Sequence, residues 1–285
     1  MPIDLELVVG AEIPASPYSW SDRDVVLYNL ALGAGNPPTE ARELAYTYEG
    51  DLVAIPTFAT IPPFSMMMGV AGIEGLDINL AQILHGDHEL VIHRSVPTSG
   101  SVTQKGRVVD VHDKGRGALI VVEVVSQLEK TGEHLFTNRA GIFVRGEGGF
   151  GGDPGPRTTV TVPDRGPEHV VVSPILPQQA LLYRQVSGDL NPLHVDPGFA
   201  AFAGFPQPIL HGLCTYGMVA KAVVDNPLDG DTTRFGSFLA RFSGHVFPGE
   251  TLVTRIWSEA DGYVVTAATK ERETTVLSNA LITER

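Results

Sequence analysis

The chain has 285 residues, 43% of them hydrophobic and 19% charged, with a formal net charge of −13. That length suits two domains of ordinary size, and the composition excludes a disordered chain. The negative charge argues against nucleic acid and anionic membrane as partners, while leaving room for a small anionic ligand in a local basic pocket.

The elements read as follows in chain order. The N-terminus, "MPIDLELVVGAEIP", has no basic stretch and makes a poor signal peptide. A helical pattern over 21–33 starts at Ser21, an N-cap candidate, and stops at Gly33. The turn "LGAGNPPT" (32–39) follows, and then an apolar helix is expected over roughly 56–70. Pro62-Pro63 should kink or interrupt it. Next come "SVTQKGRVVDVH", "GALIVVEVVSQL" and "HLFTNRAGIFVRG", strand-like runs rich in Val, Ile and Thr. The longest apolar run, Ala118 to Val125, is short and carries Glu123, so no membrane span is expected.

"RGEGGFGGDPGPR" (145–157) contains a formal G-x-G-x-x-G. A dinucleotide loop would need a helix next, but Asp153-Pro154-Gly155-Pro156 follows, so the segment reads as a linker. Beyond it, "LPQQALLYRQVSG" (176–188) repeats the first helical pattern, with Tyr28 falling on Tyr183. Asp196-Pro197 caps a short helix that Gly204 ends. The segment 208–225 is a helix apolar on most faces, and "ETLVTRIWSEA", "YVVTAATKE" and "VLSNALIT" supply more strands. An apolar helix followed by an antiparallel meander, twice, implies a duplicated α+β chain in which each sheet curls around a helix. Cys214, the single cysteine, allows no intrachain disulfide and fits a reducing compartment, so a soluble cytoplasmic protein is expected.

The duplication singles out a site. "SGDLNPLH" (187–194) aligns with 32–39 at glycine, asparagine and proline, but Asp189 faces Ala34 and His194 faces Thr39. The turn is therefore separable from the acid and the base. A structural turn needs Gly, Asn and Pro; it does not need Asp189 and His194.

"YRQVSGDLNPLHVDPGFA" (183–200) and "GFPQPILHGLCTYG" (204–217) resemble the hydratase 2 motif of MaoC-like (R)-specific 2-enoyl-CoA hydratases. The resemblance extends along the chain to the two-domain type. It implies a double hot-dog fold, with each antiparallel sheet wrapped around a long central helix. The expected parts are a catalytically degenerate unit at 1–145, a linker at 146–165 and a MaoC-like unit at 166–285. It implies that Asp189 and His194 activate water, that Asn191 orients them, and that the Gly212 N–H meets the thioester oxygen. A helix start suits an oxygen gaining charge.

A second "LHG", at 84–86, is implied to precede a strand of the first half and to place His85 and Gly86 on the coenzyme A arm. Lys114, in "DKG", would face phosphates or pantetheine. Arg241 and Phe242, in "ARFSGHVFPGETL", occupy the corresponding strand of the second half, with Ser243-Gly244-His245 where a bulkier basic-proline stretch is expected. No cofactor beyond the coenzyme A of the substrate is expected, and a homodimer is the expected assembly.

Other chemistries lack their signatures. No H-E-x-x-H, Cys/His cluster or G-x-S-x-G is present, so neither a metal site nor a hydrolase elbow is expected. Cys214 reads as core, and Met66 to Met68 read as helix packing or pocket lining. Two rivals remain: a hot-dog acyl-CoA thioesterase and a non-catalytic acyl-CoA-binding subunit.

Overall fold

A computed structural model describes residues 3–79, 82–156 and 159–285; positions 157 and 158 of the expected linker lie outside the described residues. The strands are β1 (Glu12–Trp20), β2 (Ile83–Ile92), β3 (Gly100–Asp113), β4 (Gly117–Leu128), β5 (His134–Arg145), β6 (His169–Pro174), β7 (Phe235–Phe242), β8 (Thr251–Glu259), β9 (Gly262–Thr269) and β10 (Thr275–Glu284). They form one ten-stranded antiparallel sheet in the order β1-β3-β4-β5-β2-β7-β10-β9-β8-β6. The second half of that order mirrors the first, as duplication requires. The halves join where β2 pairs with β7, from Asp87 opposite Arg241 to Val91 opposite Ser237.

The helices are α1 (Leu5–Val8), α2 (Asp22–Ala31), α3 (Ala41–Thr47), α4 (Phe64–Met68), α5 (Gln179–Ser187), α6 (Pro197–Phe202) and α7 (Gly212–Asp225). α7 is buried along almost its whole length, as its apolar faces foretell. Tyr216 stacks on Phe238 of β7 at 3.9 Å, and its hydroxyl donates to the Phe238 carbonyl at 2.6 Å.

The first half has no such helix. Its counterpart is cut into a 3₁₀ turn (Pro56–Thr60), α4 and a second 3₁₀ turn (Gly69–Gly72). The expectation of one long central helix per half therefore holds only for the second. Proline has no N–H to donate and its ring clashes with the preceding turn, so Pro62-Pro63 ends one piece before the next begins.

α2 and α5 pack together, with the Tyr28 and Tyr183 rings 6.1 Å apart. Both helices exit through a left-handed glycine, Gly33 at φ 88° and Gly188 at φ 69°. Glycine takes that conformation without a Cβ clash, so the repeated turn has the same backbone cause in each half.

Three further details differ from the sequence reading. The "LHG" at 84–86 lies inside β2 rather than before it, and the register shifts between His85 and Asp87. A Cβ on Gly86 would sit 3.2 Å from the Gly141 carbonyl, so glycine suits this irregular point. β1 and β6 also went unread. They are the two sheet edges, where Pro14, Pro17 and Pro174 are tolerated because an edge strand leaves one row of N–H groups unpaired. The G-x-G-x-x-G segment is folded back on the β3–β4 turn, where Gly149 and Gly151 N–H groups each donate to the Asp113 carboxylate at 2.8 Å.

Candidate active site

Gly188 turns the chain out of α5, and the next residues are held by their own side chains. Asp189 Oδ1 accepts from Asn191 N at 3.0 Å, and Asn191 Oδ1 accepts from Leu193 N at 3.0 Å. Arg184 Nη1 donates to the carbonyls of Asp189 and Asn191, both at 3.3 Å. These bonds make a compact turn that presents Asp189 and His194 on one side.

His194 Nδ1 lies 2.9 Å from the Ile209 carbonyl. A carbonyl only accepts, so Nδ1 carries the proton and Nε2 keeps its lone pair. Nε2 stands 3.6 Å from Asp189 Oδ2, too far for a direct hydrogen bond. Burial holds the His194 pKa below its ordinary value, against the opposing pull of the Asp189 carboxylate. His194 is therefore neutral near pH 7, as a base must be.

The pair opens on a cavity of about 450 Å³. Its second-half wall includes Tyr183, Asp189, Asn191, His194, His211 and Gly212. Gly212 is the first residue of α7, so no carbonyl of the helix can accept its N–H. A Cβ there would meet the Phe242 ring at 3.2 Å. The first-half wall comes from the broken helix, through Thr60, Ile61, Phe64, Met67, Met68 and Val70. Met67 and Met68 thus line the cavity, while Met66 packs in the first-half core.

The remaining expected residues divide. His85 and Phe242 line the cavity, with their rings 4.7 Å apart, and Ser243, Gly244 and His245 line it beside them. Lys114 and Arg241 are exposed and do not line it; the Lys114 ammonium is held by the Pro154 carbonyl. Both lie close enough to Asp87 to pull its carboxyl down, although burial of Asp87 dominates and raises it. Gly86 stands between His85 and Asp87 in β2. The copied turn is not brought to the cavity: Ala34 is buried in the core and Thr39 is exposed.

Three participants were missed. Arg145, the last residue of β5, puts a cation on the cavity wall. His88 is fully buried behind His85, with Nδ1 at 3.2 Å from His85 Nε2 and Nε2 at 2.9 Å from Asn138 Oδ1. Burial pushes His85 down to about 3 and His88 to about 4, so both are neutral. His211 lies against His194, their rings stacked at 3.7 Å. The repetition of "LHG" at 84–86 and 210–212 was the signal that each half places a histidine on the cavity wall.

Among the described residues, Asp189, His194 and His211 are the one group of three ligating side chains spaced to surround a small species, their atoms within 4.8 Å of one another. A water molecule or a cation fits that spacing.

Similarity to known proteins runs through both halves of the chain. Residues 18–146 match the model of the MFE-2 hydratase 2 N-terminal domain, and residues 158–280 match that of the MaoC like domain. The enoyl-CoA hydratase ChsH3 of Mycobacterium tuberculosis is 43% identical over 279 residues, 97% of each chain. The peroxisomal enoyl-CoA hydratase 2 of Arabidopsis thaliana is 37% identical, over 96% of this chain and 93% of its own. The crystal structure of a MaoC-like dehydratase from Phytophthora capsici superposes with a TM-score of 0.88 at 29% identity, covering 99% of this chain and 98% of its own. Both halves of the chain thus match known units of this kind, and the chain belongs to the MaoC-like hydratase 2 family in its double hot-dog form.

Proposed function

We propose that the chain adds water reversibly to a trans-2-enoyl-CoA to give the (3R)-3-hydroxyacyl-CoA. The observation that carries this reading is the state of His194: neutral, with Nδ1 spent on Ile209 and Nε2 free beside the Asp189 carboxylate. Water held between the two loses a proton to the pair as its oxygen bonds to C3. The C2=C3 electrons move toward the thioester, and C2 then takes a proton from the pair. One proton leaves water and one reaches C2, so the pair ends as it began, and no electron carrier is needed. The Gly212 N–H receives the enolate-like oxygen.

The acyl chain runs along the first-half wall, where the broken helix leaves apolar side chains on the cavity rather than a continuous core. Lys114, Arg145 and Arg241, with His85 and Gly86, stand on the side where the coenzyme A arm is received. There a local cationic rim offsets the −13 of the whole chain. No helix among the described residues is long and apolar enough to cross a membrane.

The test is an assay of the purified chain on enoyl-CoAs of graded length. Loss of the conjugated enoyl absorbance, no free thiol, and product oxidised by a 3R-specific dehydrogenase are expected. Release of free coenzyme A would make the chain a thioesterase. Binding without turnover would make it an acyl-CoA carrier.

A further inference from the structure

His211 is 2% exposed, and neither of its ring nitrogens has a hydrogen-bond partner. The Asp189 carbonyl lies near the ring without completing a bond. Burying a polar group unpaired costs roughly 1–3 kcal/mol, so such a group calls for an explanation. Packing alone gives none. The position sits between Tyr183, ring to ring at 5.1 Å, and His194 at 3.7 Å, where phenylalanine would fill the same space without the penalty.

The ring also faces the cavity, and one of its nitrogens lies within 4.8 Å of the His194 and Asp189 ligating atoms. Groups that share one water, each at about 2.8 Å from it, stand about 4.6 Å apart when tetrahedrally arranged. With all three ligating atoms within 4.8 Å of one another, and His194 Nε2 at 3.6 Å from Asp189 Oδ2, one water molecule can touch all three groups. Resting on the hydratase reading above, we infer that His211 is the third partner of the nucleophilic water and donates an N–H to its oxygen.

The roles follow from counting protons. Water has two protons, which go to two acceptors, the Asp189 carboxylate and the free Nε2 of His194. The third corner then needs a donor. A neutral imidazole supplies one N–H, and burial keeps this ring neutral, its pKa pushed down to about 2. With three of its four directions taken, the water keeps one lone pair, which is the pair that forms the bond to C3. As the water proton leaves, charge grows on the oxygen and the His211 N–H bond strengthens. The group therefore helps the transition state more than the ground state.

The test compares His211→Phe with His211→Gln, reading kcat, KM and melting temperature on the same enoyl-CoA. His211→Phe keeps the ring against His194 but has no donor. We expect its kcat to fall on the order of 10- to 100-fold, with KM within about twofold and a melting temperature at or above wild type. His211→Gln carries an amide N–H and should recover part of kcat despite a poorer ring fit. A packing role predicts the reverse order, with Phe as active as wild type and Gln worse, and that order would overturn the inference.

A crystal structure with a saturated acyl-CoA gives a reading that does not depend on either variant. A water within hydrogen-bond distance of Asp189, His194 and His211 is expected, and a water bound to the first two without His211 would overturn the inference as surely. Asp189→Asn and His194→Ala run alongside. If they too keep full turnover, the hydratase assignment of the pair has failed; if they collapse while His211→Phe does not, only the role of His211 has.

Discussion

His194 divides its two nitrogens between two tasks: Nδ1 anchors the ring on Ile209, and Nε2 is left for chemistry. Asp189 stands near enough to polarise a shared water but too far to bond Nε2 directly. Removing either group should therefore lower kcat on the order of 10²–10⁴-fold with little change in fold. Steady-state kinetics and circular dichroism of Asp189→Asn and His194→Ala check this, and near wild-type turnover in either would dissolve the assignment. The same residue sets a pH dependence. Burial, outweighing Asp189 and aided by Arg184, lowers the His194 pKa from 6.5. The base form therefore persists below pH 6.5, and the acid limb of kcat/KM should lie below that value. A limb at or above 6.5 would mean that the carboxylate, not burial, governs the ring.

α7 serves as scaffold and as reagent. Its first residue, Gly212, stands on the cavity wall with an N–H that we propose receives the thioester oxygen, and its buried body joins the two halves. Cys214 Sγ reaches the Ala31 carbonyl of α2 at 3.5 Å, and Lys221 bonds both Glu43 of α3 at 2.7 Å and Asp225 of its own helix at 2.6 Å. Gly217 marks the tightest contact with α2. A Cβ there would meet Leu32 Cδ2 at 2.6 Å and the Tyr28 hydroxyl at 2.9 Å. Both neighbours are buried and cannot swing away. Alanine normally favours a helix over glycine by about 1 kcal/mol, but overpacking costs about 1–3 kcal/mol. Gly217→Ala should thus be net destabilising, seen as a lower urea midpoint with an unchanged slope. A raised midpoint would show that α2 and α7 can separate freely.

The whole molecule keeps several histidines neutral in its interior. His85, His88 and His211 are pushed from 6.5 down to about 3, about 4 and about 2, chiefly by burial. In the unfolded chain they take up protons as pH falls through 6.5, while in the folded chain they do not. The unfolded state then binds more protons, so stability falls with falling pH. Stability should fall steadily from pH 6.5 towards 4, by up to about 1.4 kcal/mol per pH unit for each such histidine, seen as a falling melting temperature. His88→Gln should flatten the curve between 6.5 and about 4, and an unchanged slope would remove His88 from the account.

Much of this was legible in the residues. The Gly, Asn and Pro of both turns follow from local backbone needs, and the contrast of Asp189 with Ala34 and of His194 with Thr39 marked one half as the chemical one. Strand and helix periodicities located most of the sheet and the apolar α7, because a buried face leaves its period in the sequence. The edge strands were not legible, since prolines that would break a central strand are harmless where one row of N–H groups is unpaired. Nor was His211. Its role depends on a ring lying across His194 and on two nitrogens left without partners, and neither is a local property of the chain. Arg145 shows the same limit: an unremarked strand-end arginine reaches the cavity wall. The sequence by itself determined the duplication and the turn that carries Asp189 and His194, because those rest on neighbours along the chain, and its motifs carried the resemblance that implied the class of chemistry. Only the tertiary structure decided which side chains share the cavity, because the pairing of β2 with β7 and the packing of α7 between the halves bring together residues more than a hundred positions apart.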